Sequence, residues 1–193
     1  MPTPWLGRIR RTGQLSVFNK ATAWSGPVAA AIQDFNHLAF GVRLVVAAEE
    51  RNADVVLILA TGPTKHSHFG DTVETAPDFV VDDLHGQCST LTDKRRNEIF
   101  FAGVFLPGKV KDATAGQKEV IVLHELIHAA GMNEKNDHDS VGIMFFGWKR
   151  EDGKLLEYMP EKGARPMPPI RVGAKTLCTI KSLWSGENAC RED

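Results

Sequence analysis

Along residues 15–18 apolar and polar positions alternate as in a short strand. Residues 27–40 change to a three- and four-residue rhythm. Val28, Ala31, Ile32, Phe35, Leu38 and Ala39 share one stripe, and Pro27 suits a first helical position. His37 falls off that stripe and reads as a surface histidine. Residues 42–47 and 55–60 are apolar runs of strand length, rich in valine and isoleucine, with a polar turn between them. Across 61–93 the rhythm dissolves into Gly, Pro, Asp, His and Thr, which predicts a long connection of the kind that carries function more often than core. Residues 99–106 predict another strand, closed by Pro107 and Gly108. A helix is expected to start between Asp112 and Gln117, capped by Asp112 or Thr114, and to run to Gly131. Residues 133–169 are polar and rich in Gly and Pro around an apolar island at 141–148. Residues 175–184 place Leu177, Ile180, Leu183 and Trp184 on one stripe, a closing amphipathic helix stopped by Gly186.

Strands before and beside helices, with no repeat and no linker, predict one α+β domain over 1–193 with its core at about 15–186. A chain of 193 residues can bury that core without staples. Its formal net charge of −1 supplies no field that would recruit nucleic acid or an anionic membrane. No stretch approaches the ~20 apolar residues of a membrane span. The first residues lack an apolar core followed by a cleavage site, so the expected location is cytoplasmic by default, with release by another route open. Arg8, Arg10 and Arg11 form a short basic cluster that reads as a solvated terminal segment. Cys88, Cys178 and Cys190 are odd in number and unrelated in spacing, which argues against a disulfide framework and against a CxxC metal site. Cys178 is expected as a small buried side chain. A bridge from Cys190 to one of the others is the less favoured reading.

One segment changes the picture. His124-Glu125-Leu126-Ile127-His128 is an HExxH on the expected helix. Residues four apart stand nearly on one face, about 6 Å along the axis at ~1.5 Å per residue, so both imidazoles can reach one ion. Zinc accepts imidazole nitrogen, and a catalytic site leaves one tetrahedral position for water. A carboxylate at Glu125 stands beside that water, to take its proton during attack on a carbonyl and pass it to the leaving amine. The bland alternative is a surface-helix patch. Against it, Val120, Ile121, Val122, Leu123, Leu126, Ile127, Ala129 and Ala130 make the helix apolar nearly all round, where three ionisable groups need a metal or partners.

The segment HELIHAAG, followed by a histidine and then by SVGIM, resembles the metzincin clan of zinc peptidases, most of all its matrixin-like members. The resemblance runs over most of 15–186, although only the helix and the methionine turn are specific. It implies a zincin-like domain: a twisted mixed sheet, a zinc-binding active-site helix and a C-terminal helix. It further implies a zinc endopeptidase with one catalytic Zn2+ and a peptide or protein substrate; the chain is expected to be a monomer. One departure matters. The family spacing puts the third histidine at position 134, which here is Glu134, and the next histidine is His138. A loop insertion with His138 as third ligand is the preferred reading, because loops absorb residues cheaply. Glu134 is the alternative and Asp137 a third. Met144 would form the apolar floor under the histidines; an ordinary core methionine is nearly the same statement.

The resemblance also implies that the strand at 99–106 is an edge receiving peptide as an added strand, with Phe101, Ala102 and Gly103 as substrate-binding residues. Phe145 and Phe146, with Trp148, would wall the pocket beyond the scissile bond, and a place in the core is an equal reading of them. His66, His68 and Asp71, with His85 nearby, offer a second, structural metal site, against which a polar loop is the favoured account. Asp82 and Asp83 are weak grounds for calcium. Tyr158 as an oxyanion donor is weighed below an ordinary loop tyrosine. Two rivals stay open: a zinc-bearing binding or assembly module without turnover, and a zinc hydrolase acting on cell-wall cross-links.

Overall fold

Residues 55–60 and 99–106, the most apolar runs in the chain, form the centre of the sheet. The computed structural model describes residues 2–132, 143–144, 150–151, 154–155 and 172–186. Its main sheet comprises β1 (Gln14–Asn19), β2 (Arg43–Val46), β3 (Val55–Ala60), β6 (Gln87–Asp93) and β7 (Glu98–Pro107), in the order β2-β1-β3-β7-β6. The first four neighbours pair in parallel and β6 joins β7 antiparallel, so the sheet is mixed. β3 and β7 are covered on both faces, which is why they read as continuous apolar runs rather than alternation. The hairpin β4 (Lys65–His68) with β5 (Asp71–Glu74) and the short pair β8 (Arg150–Glu151) and β9 (Lys154–Leu155) are separate two-stranded sheets.

Four helices complete the described α+β fold: α1 (Gly7–Arg10), α2 (Ser25–His37), α3 (Ala115–Ala129) and α4 (Ala174–Ser185). None of them is long and apolar enough to cross a membrane. α2 stops before the expected residue 40 because Ala39 turns left-handed (φ 54°) and Phe40 folds back onto Phe35, ring centroids 4.8 Å apart. His37 is exposed, as its position off the stripe requires. α3 begins on a capping box: the Thr114 hydroxyl accepts from the Gln117 N–H (3.2 Å), and the Gln117 Oε1 accepts from the Thr114 N–H (2.8 Å). Two indoles hold its other end. Trp5 Nε1 donates to the Ala129 carbonyl (2.8 Å) and Trp184 Nε1 to the Ala130 carbonyl (3.0 Å), satisfying carbonyls that a helix end leaves without partners. Gly131, at φ 125°, is where Leu183 of α4 and the Thr3 carbonyl close on the chain; a Cβ there would stand 2.8 and 2.9 Å from them.

Three expectations are corrected. The core begins before residue 15: Trp5 and Ile9 are buried in it, and Trp5 bridges Ile99 of β7. The connection at 61–93 holds three strands, β4, β5 and β6. Their residues are mostly polar and β6 is half-buried throughout, so no apolar alternation announces them. Cys178 is disulfide-bonded and only partly buried, while Cys88 is a free thiol.

Candidate metal centre

The α3 helix turns both motif histidines to one place. His124 Nε2 and His128 Nε2 stand 3.1 Å apart, with ring centroids 4.7 Å apart and planes at 74°. Backbone carbonyls decide which nitrogen is presented. His124 Nδ1 lies 2.8 Å from the Ile143 carbonyl, and His128 Nδ1 contacts the Met132 carbonyl. A carbonyl only accepts, so each Nδ1 carries the proton and each Nε2 keeps a lone pair. Two lone pairs facing at 3.1 Å repel unless something positive lies between them. Two nitrogens held at about 2.0–2.1 Å by a tetrahedral zinc ion stand roughly 3.3–3.4 Å apart, so the observed pair needs only a few tenths of an ångström. The donor set fits the ion.

Glu125 lies on the same turn but is buried, 3 % exposed. Its carboxyl rests on Gly86, where a Cβ would come within 2.5 Å of Glu125 Cγ, and it accepts a hydrogen bond from the Cys88 backbone N–H. Burial pushes the carboxyl up to about 8, against the opposing pull of that N–H. Burial, and then the nearby Glu125 carboxylate, hold the Cys88 thiol well above its ordinary range, so it stays neutral. Gly86 was not singled out from the sequence. Its only signal there was a lone glycine before a polar run. Gly86→Ala is expected to destabilise the fold by about 1–3 kcal/mol, since either Glu125 or the start of β6 must move. Urea unfolding checks this, and an unchanged midpoint would refute the contact.

Ile143 and Met144 are buried in the main core, and the Ile143 carbonyl that orients His124 is the residue before Met144. Burial of Met144 is common to both of its readings. Among the described residues no group of three or more His, Cys, Asp or Glu gathers around one ion position. His138, Glu134, Asp137, Phe145, Phe146 and Tyr158 lie outside the described residues.

The substrate-edge reading of Phe101, Ala102 and Gly103 is overturned. β7 is paired on both sides, to β3 through Ala102 and Gly103 and to β6 through all three, so its main chain has no room for an added strand. The β4–β5 hairpin covers one face: His68 stacks on Phe101 (3.8 Å, 14°), and Val73 packs where a Gly103 Cβ would be, at 2.6 Å. Position 103 is glycine because another strand lies on it. His66 stacks on the same Phe101 (5.7 Å) and its Nε2 faces Glu50 at 3.6 Å. Burial lowers both histidines, with Lys20 also acting on His66 and His66 on His68. The two rings serve packing against Phe101; with Asp71 they make no metal cluster among the described residues.

Comparison with protein-family models and with curated proteins finds no match to this chain.

Proposed function

We propose that this chain is a metzincin-like, matrixin-type zinc endopeptidase of zincin-like fold, holding one Zn2+ on His124, His128 and His138. The observation that carries the reading is the pair of Nε2 atoms 3.1 Å apart, each presented by an Nδ1–H bonded to a backbone carbonyl. When bound, the ion supplies a Lewis acid that polarises the scissile carbonyl and acidifies a water. The protein supplies the rest. Glu125 takes the proton from the attacking water and returns it to the leaving amine. Its buried surroundings raise its basicity, and the Cys88 N–H and Gly86 fix its carboxyl in place.

The role that the sequence reading gave to residues 99–106 passes to the outer edge of β6, the last strand in the sheet. At the opposite edge the Asn36 side chain already bonds both the N–H and the carbonyl of Leu44, so β2 is closed to a partner there. An extended peptide added along β6 would run beside Glu125 and pair on either side of Cys88, whose N–H the Glu125 carboxyl already takes.

Zinc content after metal loading and dialysis tests the ligand set. His124→Ala and His128→Ala are expected to lose the ion. His138→Ala is expected to weaken its retention by more than the about 10–100-fold that loss of a supporting hydrogen bond brings, and Glu134→Ala to keep it. Retention by the His138 variant and loss by the Glu134 variant would reverse the assignment. Cleavage of an unfolded polypeptide, blocked by a chelator, separates turnover from a zinc-bearing module that does no chemistry.

A further inference from the structure

Arg8 and Arg11 near the N-terminus are exposed, but on a folded segment. α1 folds Arg8 and Arg11 toward Arg96, which arrives from the turn between β6 and β7, and with Leu6, Gly7 and Glu98 they line a cleft of about 470 Å³. The acids nearby are already engaged. Glu98 accepts from Arg10 at 3.3 Å, and the Asp93 carboxylate accepts the Arg95 N–H at 2.8 Å. Among the described residues Arg8, Arg11 and Arg96 have no carboxylate partner. The wall behind them is rigid: Leu6 N–H bonds the Ile99 carbonyl (2.9 Å), Ile99 N–H bonds the Pro4 carbonyl (2.8 Å), and Arg10 Nε donates to the Trp5 carbonyl (2.9 Å). Three guanidiniums with no counter-charge, on a fixed wall, are donors lacking their acceptor.

We infer that this cleft is a binding site for an acidic polypeptide segment, its carboxylates held by Arg8, Arg11 and Arg96. Guanidinium forks match carboxylates bidentately, and a fixed wall lowers the ordering cost of binding. A peptide fits better than nucleic acid because the cleft is short and the chain as a whole carries a net charge of only −1, which gives no extended basic track for a phosphate backbone. The inference does not depend on the metal centre.

The test is fluorescence anisotropy of a labelled hexaglutamate peptide with the full chain at low salt, beside a hexaglutamine peptide, inorganic phosphate as competitor, and a labelled single-stranded hexanucleotide. Expected are binding of hexaglutamate alone among the labelled probes, a steep fall with salt, and at least about tenfold weakening in Arg8→Ala/Arg11→Ala/Arg96→Ala. Lys111→Ala, an exposed control, is expected to bind as the parent does. All four positions are exposed, and thermal unfolding confirms that the variants fold. Absence of hexaglutamate binding, equal binding by the triple variant, tighter binding of the hexanucleotide, or full displacement by equimolar phosphate would each overturn the inference. Glu125→Gln leaves hexaglutamate binding intact, so a failed peptidase reading and a failed cleft are told apart.

Discussion

Glu125→Gln is expected to lower turnover of an unfolded polypeptide by about 10²–10⁴-fold, the range a positioned general base supplies, while zinc content and KM hold. Glutamine is chosen because it reproduces the shape of the site. Its amide oxygen can still accept the Cys88 N–H, and its side chain fills the same space against Gly86. What vanishes is the ability to carry a proton between water and amine. The two imidazoles keep their carbonyl partners, since neither bond passes through residue 125. A steady-state assay with parallel metal analysis reads the result. A variant cleaving at the parental rate would remove Glu125 from the chemistry, and a variant that loses its zinc would give it a ligand's role instead.

How much of this could be read from residues alone depends on where each element's stabilisation originates. α3 was readable throughout, because its cap, its apolar faces and its histidines lie within one continuous stretch, Thr114 to Gly131. β3 and β7 were readable because both faces are buried and their composition shows it. β4, β5 and β6 were not. Their residues are polar or half-buried, and what holds them is distant: Val73 against Gly103, His68 on Phe101, and the Gln87 side chain, which bonds the Ala76 N–H and the Glu74 carbonyl. Missing β6 misplaced the sheet edge, and with it the residues assigned to substrate. Trp5 was lost in the same way. Its indole partner is the carbonyl of Ala129, and no local rhythm encodes a bond that long. Of the proposed site, the two imidazoles and the carboxylate were visible in the sequence, whereas the groups that orient them were not. The Ile143 and Met132 carbonyls and the Cys88 N–H are backbone atoms, which sequence does not distinguish.

The second large effect concerns the metal-free protein. There the Glu125 carboxyl is buried with its affinity for protons raised to about 8, burial being the main cause and the Cys88 N–H opposing it. In the unfolded chain the group returns to its ordinary 4.5. The native state therefore holds a proton that the unfolded state has released throughout the window from 4.5 to about 8. Its contribution to stability is complete below 4.5, falls as pH rises through that window, and is gone above about 8. At about 1.4 kcal/mol per pH unit, the loss across the whole window is on the order of 5 kcal/mol, of which about 3–4 kcal/mol falls between pH 5 and pH 8. Urea unfolding of chelator-treated protein at pH 5 and pH 8 measures it, and Glu125→Gln isolates it. Burial, the main cause, keeps the Cys88 thiol well above its ordinary range in either protein, so it stays neutral between pH 5 and pH 8. The parent is expected to lose more stability than the variant by roughly the amount above, and added zinc to flatten the parent's dependence, because a cation beside the carboxylate favours its charged form. Identical pH slopes in parent and variant would mean that the carboxyl reaches solvent. The buried base on which the proposed chemistry depends would then be absent.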